Sequence, residues 1–138
     1  MTDVELVEKR LAFIERCLRE LREEARPELV ETDLRERRFV EHTLQIAIQA
    51  ALDVASHVIA ARRLAEPTTN RQMFERLVGD GWLDAELGTQ LGRMAGFRNI
   101  LVHGYTEVDP SIVGDVCRNR LGDLDRFVVA IRARLGGS

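Results

Sequence analysis

Apolar residues recur at spacings of three and four through most of the chain, and runs that alternate every second residue are nearly absent. That period predicts helices throughout. Val7, Leu11, Ile14, Leu18 and Leu21 form one stripe of a first helix, from about residue 3 to residue 25, which Pro27 interrupts. A long second helix is expected from about 29 to 65. Its second half is apolar almost all round, from Leu44 through Val54 to Ile59. A helix of that kind is surrounded by others. Pro67 and Thr68-Thr69-Asn70 read as a loop. A short helix near 70 to 79 follows, with Thr69 as its cap and Gln72 reaching back as in a capping box. A fourth helix starts near Asp84. Asp109-Pro110 opens a last helix that carries Val113, Val116, Leu121, Leu124, Phe127, Val128, Ile131 and Leu135, leaving Gly136-Gly137-Ser138 as a frayed tail. The expectation is a single all-α domain over residues 1–138, an up-and-down bundle of about five helices with one long second helix.

Composition narrows the class. The chain has 138 residues, 45% hydrophobic and 31% charged, enough for one domain with its own core. Aromatic residues make up only 5%, so that core is aliphatic. The net charge of -3 is not that of a dedicated nucleic-acid binder, and positive charge must be local if a phosphate polymer is to bind. Nearly all the basic residues are arginines, with Lys9 the only lysine. Arginine suits planar bidentate contacts to phosphate. Cys17 and Cys117 offer neither a disulfide framework nor metal-ligand spacing, and read as buried thiols. Charges run through residues 1–16, and no uninterrupted apolar run reaches the ~18 residues of a membrane span, so a cytoplasmic protein with no membrane association is expected.

One segment concentrates the chemistry. Arg98-Asn99-Ile100-Leu101-Val102-His103-Gly104-Tyr105 puts a fixed cation, an imidazole and a phenol within eight residues in an apolar neighbourhood. A guanidinium holds phosphate and an imidazole moves protons near neutral pH. Asn99 lies four residues before His103 and shares its helical face, where it can orient the ring or hold a substrate oxygen. Arg98 and His103, five apart, stand about 140° from one another on a regular helix. They converge either because the helix ends near Gly104 or because Arg98 meets the His103 of a second subunit.

Two further patterns bear on that segment. His42, Gln45, Gln49, Asp53 and His57 form a polar stripe on the second helix, read either as a solvated face or as the lining of a cleft in which Asp53 accepts from Arg98 and His57 assists. The stripe lacks a third strong ligand, so no metal site is expected. Arg37, Arg38, Arg62 and Arg63 supply positive charge near the ends of the same helix. Gly88, Gly92 and Gly96 recur every four residues in the fourth helix, with close helix packing the favoured reading. There is no phosphate-cradling glycine loop, serine–histidine–acid set or Cys-x-x-Cys pair.

Arg98-x-x-x-x-His103-x-Tyr105 resembles the signature of the HEPN superfamily, and its setting in Met94-Ala95-Gly96-Phe97-Arg98-Asn99 and Leu101-Val102-His103 resembles the HepT-like branch over nearly the whole chain. The resemblance implies a HEPN-like bundle and a metal-independent endoribonuclease toxin of a type VII-like toxin–antitoxin pair, without a cofactor. It implies that Arg98 holds the scissile phosphate and His103 serves as general acid or base while the RNA 2′-hydroxyl attacks, leaving a cyclic phosphate. It further implies a homodimer whose two motifs line one cleft, and a minimal nucleotidyltransferase antitoxin (MNT-like) that transfers AMP to Tyr105. The alternative is a non-catalytic nucleotide-binding module, or one that only partners a nucleotidyltransferase.

Overall fold

A computed structural model describes residues 3–103 and 108–137, and among them every regular element is helical. Helix α1 spans Val4–Glu24 and a 3-10 turn covers Pro27–Leu29. The helices α2 (Leu34–Ala61), α3 (Asn70–Gly79), α4 (Ala85–His103), α5 (Pro110–Asn119) and α6 (Leu121–Gly137) follow.

Side-chain caps fix most of the starts. The Asp3 carboxylate accepts from Leu6 N, that of Asp33 from Arg35 N and Glu36 N, and that of Asp84 from Leu87 N. Asp33 explains why α2 begins later than its apolar pattern suggests: the cap offers the first amides a partner, and the preceding residues close into the 3-10 turn instead. Thr69 Oγ1 accepts from Gln72 N as expected. The return contact differs from a capping box, because Gln72 Oε1 accepts from Thr68 N at 2.7 Å, one residue ahead of the cap. Helix α2 ends at Ala61 in a Schellman arrangement: Leu64 N donates to Ile59 O and Arg63 N to Ala60 O, with Arg63 in the left-handed region at φ 55°.

The single last helix expected from the sequence is two helices. They meet at Arg120, whose N–H donates to Val116 O as the cap of α5. The apolar spacing stays in phase across the break, so the pattern cannot show it. The reason is tertiary: α5 packs on α2 and the 3-10 turn, whereas α6 turns to pack on α1 and α4. Helix α6 also continues through Gly137, so Gly136-Gly137 are helical rather than a tail.

Helix α2 is the spine. Its window is long and apolar enough to cross a membrane by composition alone, yet more than half of it is buried inside the bundle, as for a core helix. Val40, Leu44, Ala47, Ile48, Ala51, Val54, Ala55 and Val58 meet Leu11, Ile14 and Leu18 of α1, Phe74 and Leu77 of α3, Leu91 of α4 and Leu124, Phe127 and Ile131 of α6 in one core. Phe74 and Phe127 pack edge to face. Arg132 of α6 clamps α1 through Glu15 (2.7 and 2.9 Å) and Glu8. A polar knot fastens the α3–α4 turn: Asp80 accepts from Arg62 and from Trp82 Nε1, and Arg134 donates to Asp80 O while covering the Trp82 ring. Gly81 has φ 82° in this turn, a left-handed conformation that favours glycine, and Arg134 Nη1 lies 3.0 Å from where its Cβ would stand. Cys17 and Cys117 are buried free thiols pushed above the usual thiol range by burial, so they are inert packing residues.

Candidate active site at the end of the fourth helix

Helix α4 presents different chemistry around its girth. Leu87, Leu91, Met94, Ala95 and Phe97 are buried against the bundle. Asn99, Ile100 and His103 are exposed on its last two turns, and Arg98 is half-buried between the two environments. His103 is the last helical residue, so the helix does not end before it. Arg98 and His103 therefore stay about 140° apart around the axis and roughly 7.5 Å apart along it within one chain. The expected unwinding that would swing His103 toward Arg98 is not present over the described residues. Tyr105, with Gly104 and Thr106, lies outside them.

The Arg98 side chain carries an unusual electrostatic debt. Its Nε is buried and has no hydrogen-bond partner, the one such side-chain atom among the described residues. Its Nη1 donates to Asn99 Oδ1 at 3.4 Å. That same oxygen accepts from Asn70 Nδ2 of α3, also at 3.4 Å. A buried donor without an acceptor costs about 1–3 kcal/mol, and such a guanidinium is preset for an anion that arrives from outside. Asn99 thus sits between Arg98 and the start of α3, and the pair Asn70–Asn99 ties the two helices together beside the cation. Asn70 was not singled out in the sequence. Its position at the first turn of α3 was legible from Thr69, but its reach to a residue 29 positions on was not.

The polar stripe of α2 splits. Asp53 is half-buried and accepts from Gln49 Nε2 at 2.8 Å, while Arg98 bonds to Asn99, so the expected Asp53–Arg98 hydrogen bond is not formed. His57 Nε2 accepts from Asp3 N at 3.0 Å, and its ring is occupied in fastening the start of α1. His42 and Gln45 remain. With Arg38 they line a groove of about 600 Å³ whose far wall is Leu101 and Val108, so they flank the end of α4. Glu41 on the same groove is raised above the ordinary carboxylate range by burial, against the pull of Arg37 and Arg38. No cluster of three metal-ligating side chains exists among the described residues.

The glycine stripe also resolves. A Cβ at Gly88 would overlap Val78 Cγ2, and one at Gly92 would press on Arg71 Cγ at 3.2 Å, whereas at Gly96 it would meet nothing within 4 Å. The first two glycines serve close contact between α3 and α4, and the third lies on the open face that continues to Ile100 and His103.

These features sit in a chain that matches the Ribonuclease HepT-like family over residues 10–131. The chain belongs to that family. This HepT-like chain is similar to the mRNA nuclease HepT of Shewanella oneidensis, 33% identical over 90 residues covering 65% of this chain and 68% of the relative. It is similar to the tRNA nuclease HepT of Aphanizomenon flos-aquae, 32% identical over 117 residues covering 82% and 80%. Its structure is similar to that of a tri-AMPylated Shewanella oneidensis HEPN toxin in complex with MNT antitoxin, at TM-score 0.86 and 28% identity, covering 96% of this chain and 99% of the other. The six-helix HEPN-like architecture and the kinship read from the motif thus hold together.

Proposed function

We propose that this HepT-like protein is an RNA-cleaving toxin that works without a metal or cofactor in the cytoplasm, and that a nucleotidyltransferase antitoxin of the MNT kind silences it. The observation that carries the reading is the half-buried Arg98 whose Nε lacks an acceptor. A phosphodiester oxygen supplies that acceptor and brings the negative charge the guanidinium lacks. Arg98 holds the scissile phosphate and stabilises the charge that builds on it. His103 acts as general acid or base for attack by the neighbouring 2′-hydroxyl, which expels the 5′-oxygen and leaves a 2′,3′-cyclic phosphate. Asn99 positions Arg98 through its side-chain oxygen.

Because α4 stays helical through His103, one chain alone holds its cation and its imidazole on different sides. A homodimer answers this: Arg98 of one protomer works with the imidazole of its partner across a shared cleft. The exposed Ile100 and the unfilled space over Gly96 give α4 an apolar, close-approaching face for that pairing. AMP transfer to Tyr105 by the antitoxin places a phosphodiester's charge and bulk beside the site that must receive the RNA phosphate, which blocks it.

The test is cleavage of RNA with chelator present, by the wild type and by Arg98→Ala and His103→Ala variants that retain the helical circular dichroism of the parent. Cleavage with a cyclic phosphate end is expected from the wild type and none from the variants. Undiminished cleavage by both variants would remove the assignment. Mass measurement after co-expression with the antitoxin reads out whole AMP units on the peptide containing Tyr105.

A further inference from the structure

The positive charge of this acidic chain is not spent evenly. Arg22, Arg62, Arg126 and Arg132 are held by carboxylates. Arg71 and Arg93 are exposed and form no ion pair among the described residues, yet Arg71 is not free to wander. The stem of Arg71 lies across Gly92 of α4, where a Cβ would stand 3.2 Å from its Cγ and 3.6 Å from its Nε. Arg71 and Arg93 face one groove of about 390 Å³ between α3 and α4, floored by Val78, Ala85 and Gly88. Glu75 stands farther along the same groove and forms no ion pair within 4 Å.

The groove does not stand apart from the Arg98 site. Asn70, next in sequence to Arg71, donates to Asn99, which accepts from Arg98. Along α4 the order is Gly92, Arg93, Arg98, Asn99, and Gly92 and Asn99 share the side facing α3, so Arg71 over Gly92 and the Asn70–Asn99 contact lie on one seam beside Arg98. Asn99 and Gly92 are seven residues apart, about 10 Å along the helix. That separation is on the scale of the step from a scissile phosphate to those of neighbouring nucleotides. Two guanidiniums without carboxylate partners on one groove, one of them laid over Gly92 and tied through Asn70 and Asn99 to a third whose donor is unsatisfied, are what a winding polyanion requires.

We infer that the α3–α4 groove is the track for a single-stranded segment of the substrate RNA, with Arg71 and Arg93 each taking a backbone phosphate flanking the one held by Arg98. This rests on the ribonuclease reading above. It assigns Gly92 a specific purpose, since its missing side chain seats the Arg71 stem against α4. It also explains how a chain of net charge -3 binds RNA: the contacts are few and local.

The experiment measures binding of a fluorophore-labelled single-stranded RNA by anisotropy over a range of NaCl, in a His103→Ala background that prevents turnover. Adding Arg71→Ala and Arg93→Ala should weaken binding about tenfold at low salt and make the slope of log affinity against log salt about 1.4 less negative, the share of two phosphates on a single strand. With His103 intact, the same pair should raise KM and leave kcat unchanged. The charge-matched control removes exposed Arg10 and Arg19 of α1, a helix that packs on α2 and α6, and should change neither quantity. Affinity and slope within twofold of the parent, or an equal fall in the control, would overturn the track. A groove variant that keeps RNA binding but loses the antitoxin would make the groove a protein interface and equally overturn it. If the wild type itself cuts no RNA, the failure lies with the ribonuclease reading, and the binding slopes still judge the groove.

Discussion

Replacing Gly88 and Gly96 by alanine, one at a time, isolates a steric effect that the structure sizes. Both residues lie within α4, so each substitution gains the same helix-propensity benefit of about 1 kcal/mol over glycine. They differ in what the new methyl meets. At Gly96 there is nothing within 4 Å, so the propensity gain stands alone. At Gly88 the methyl would overlap Val78 Cγ2 and come to 3.8 Å from the carbonyl oxygen of Phe74. Val78 is β-branched on α3 and stiff at χ1, so it does not swing aside, and α3 must move off α4. Overpacking of this kind costs about 1–3 kcal/mol. Subtracting one variant from the other cancels the propensity contribution and leaves the steric one. Gly88→Ala should therefore unfold at a free energy about 1–3 kcal/mol below Gly96→Ala, or a midpoint lower by roughly 3–10 °C for a domain of this size. The assay is thermal and urea denaturation followed by circular dichroism at a protein concentration low enough to keep the chain monomeric, because pairing over Gly96 would add an interface contribution and make the midpoint concentration-dependent. Equal stability of the two variants, or a more stable Gly88→Ala, would refute the account of how α3 is seated. The seating matters for function, since it sets the Asn70–Asn99 contact beside Arg98.

Two further outcomes are expected. Arg98→Met keeps an unbranched stem and removes the orphaned Nε, so it should abolish cleavage while raising stability by about 1 kcal/mol in urea denaturation; a loss of similar size would mean that Arg98 is a structural residue. Asp80 is held below the ordinary aspartate value of 3.8, first by its hydrogen bond from Arg62 and then by that from Trp82. A depressed carboxylate contributes its stability above the unfolded value and loses it as pH falls through the folded one. The stability gap between wild type and Asp80→Asn should thus be present at pH 7 and shrink below about pH 4, and a gap that stays constant down to pH 2 would contradict the knot at the α3–α4 turn.

Which helices form was legible because helix formation is signalled locally. The apolar period marked α1 and α2, Thr69 capped α3, and Asp109-Pro110 opened α5. Arg98, Asn99 and His103 could be singled out because the motif is continuous in sequence, within six residues at the end of one helix. The stop between α5 and α6 was not, since the stripe Val113, Val116, Cys117, Leu121, Leu124 keeps helical phase across Arg120 and only the choice of packing partners bends it. Helix period equally could not say which neighbour each polar residue of α2 would find. His57 shares a stripe with Asp53 and His42, yet packing sends it to Asp3, Asp53 to Gln49, and His42 to the groove by Leu101. Sequence alone therefore determined the helical segments, short of the α5–α6 break, and the motif, through backbone preferences that span a few residues. Tertiary structure decided that Arg98 keeps an unanswered donor, that Asn70 reaches Asn99, and that Arg71 lies over Gly92. Those are contacts between helices, and their geometry exists only once the apolar faces have closed on one another.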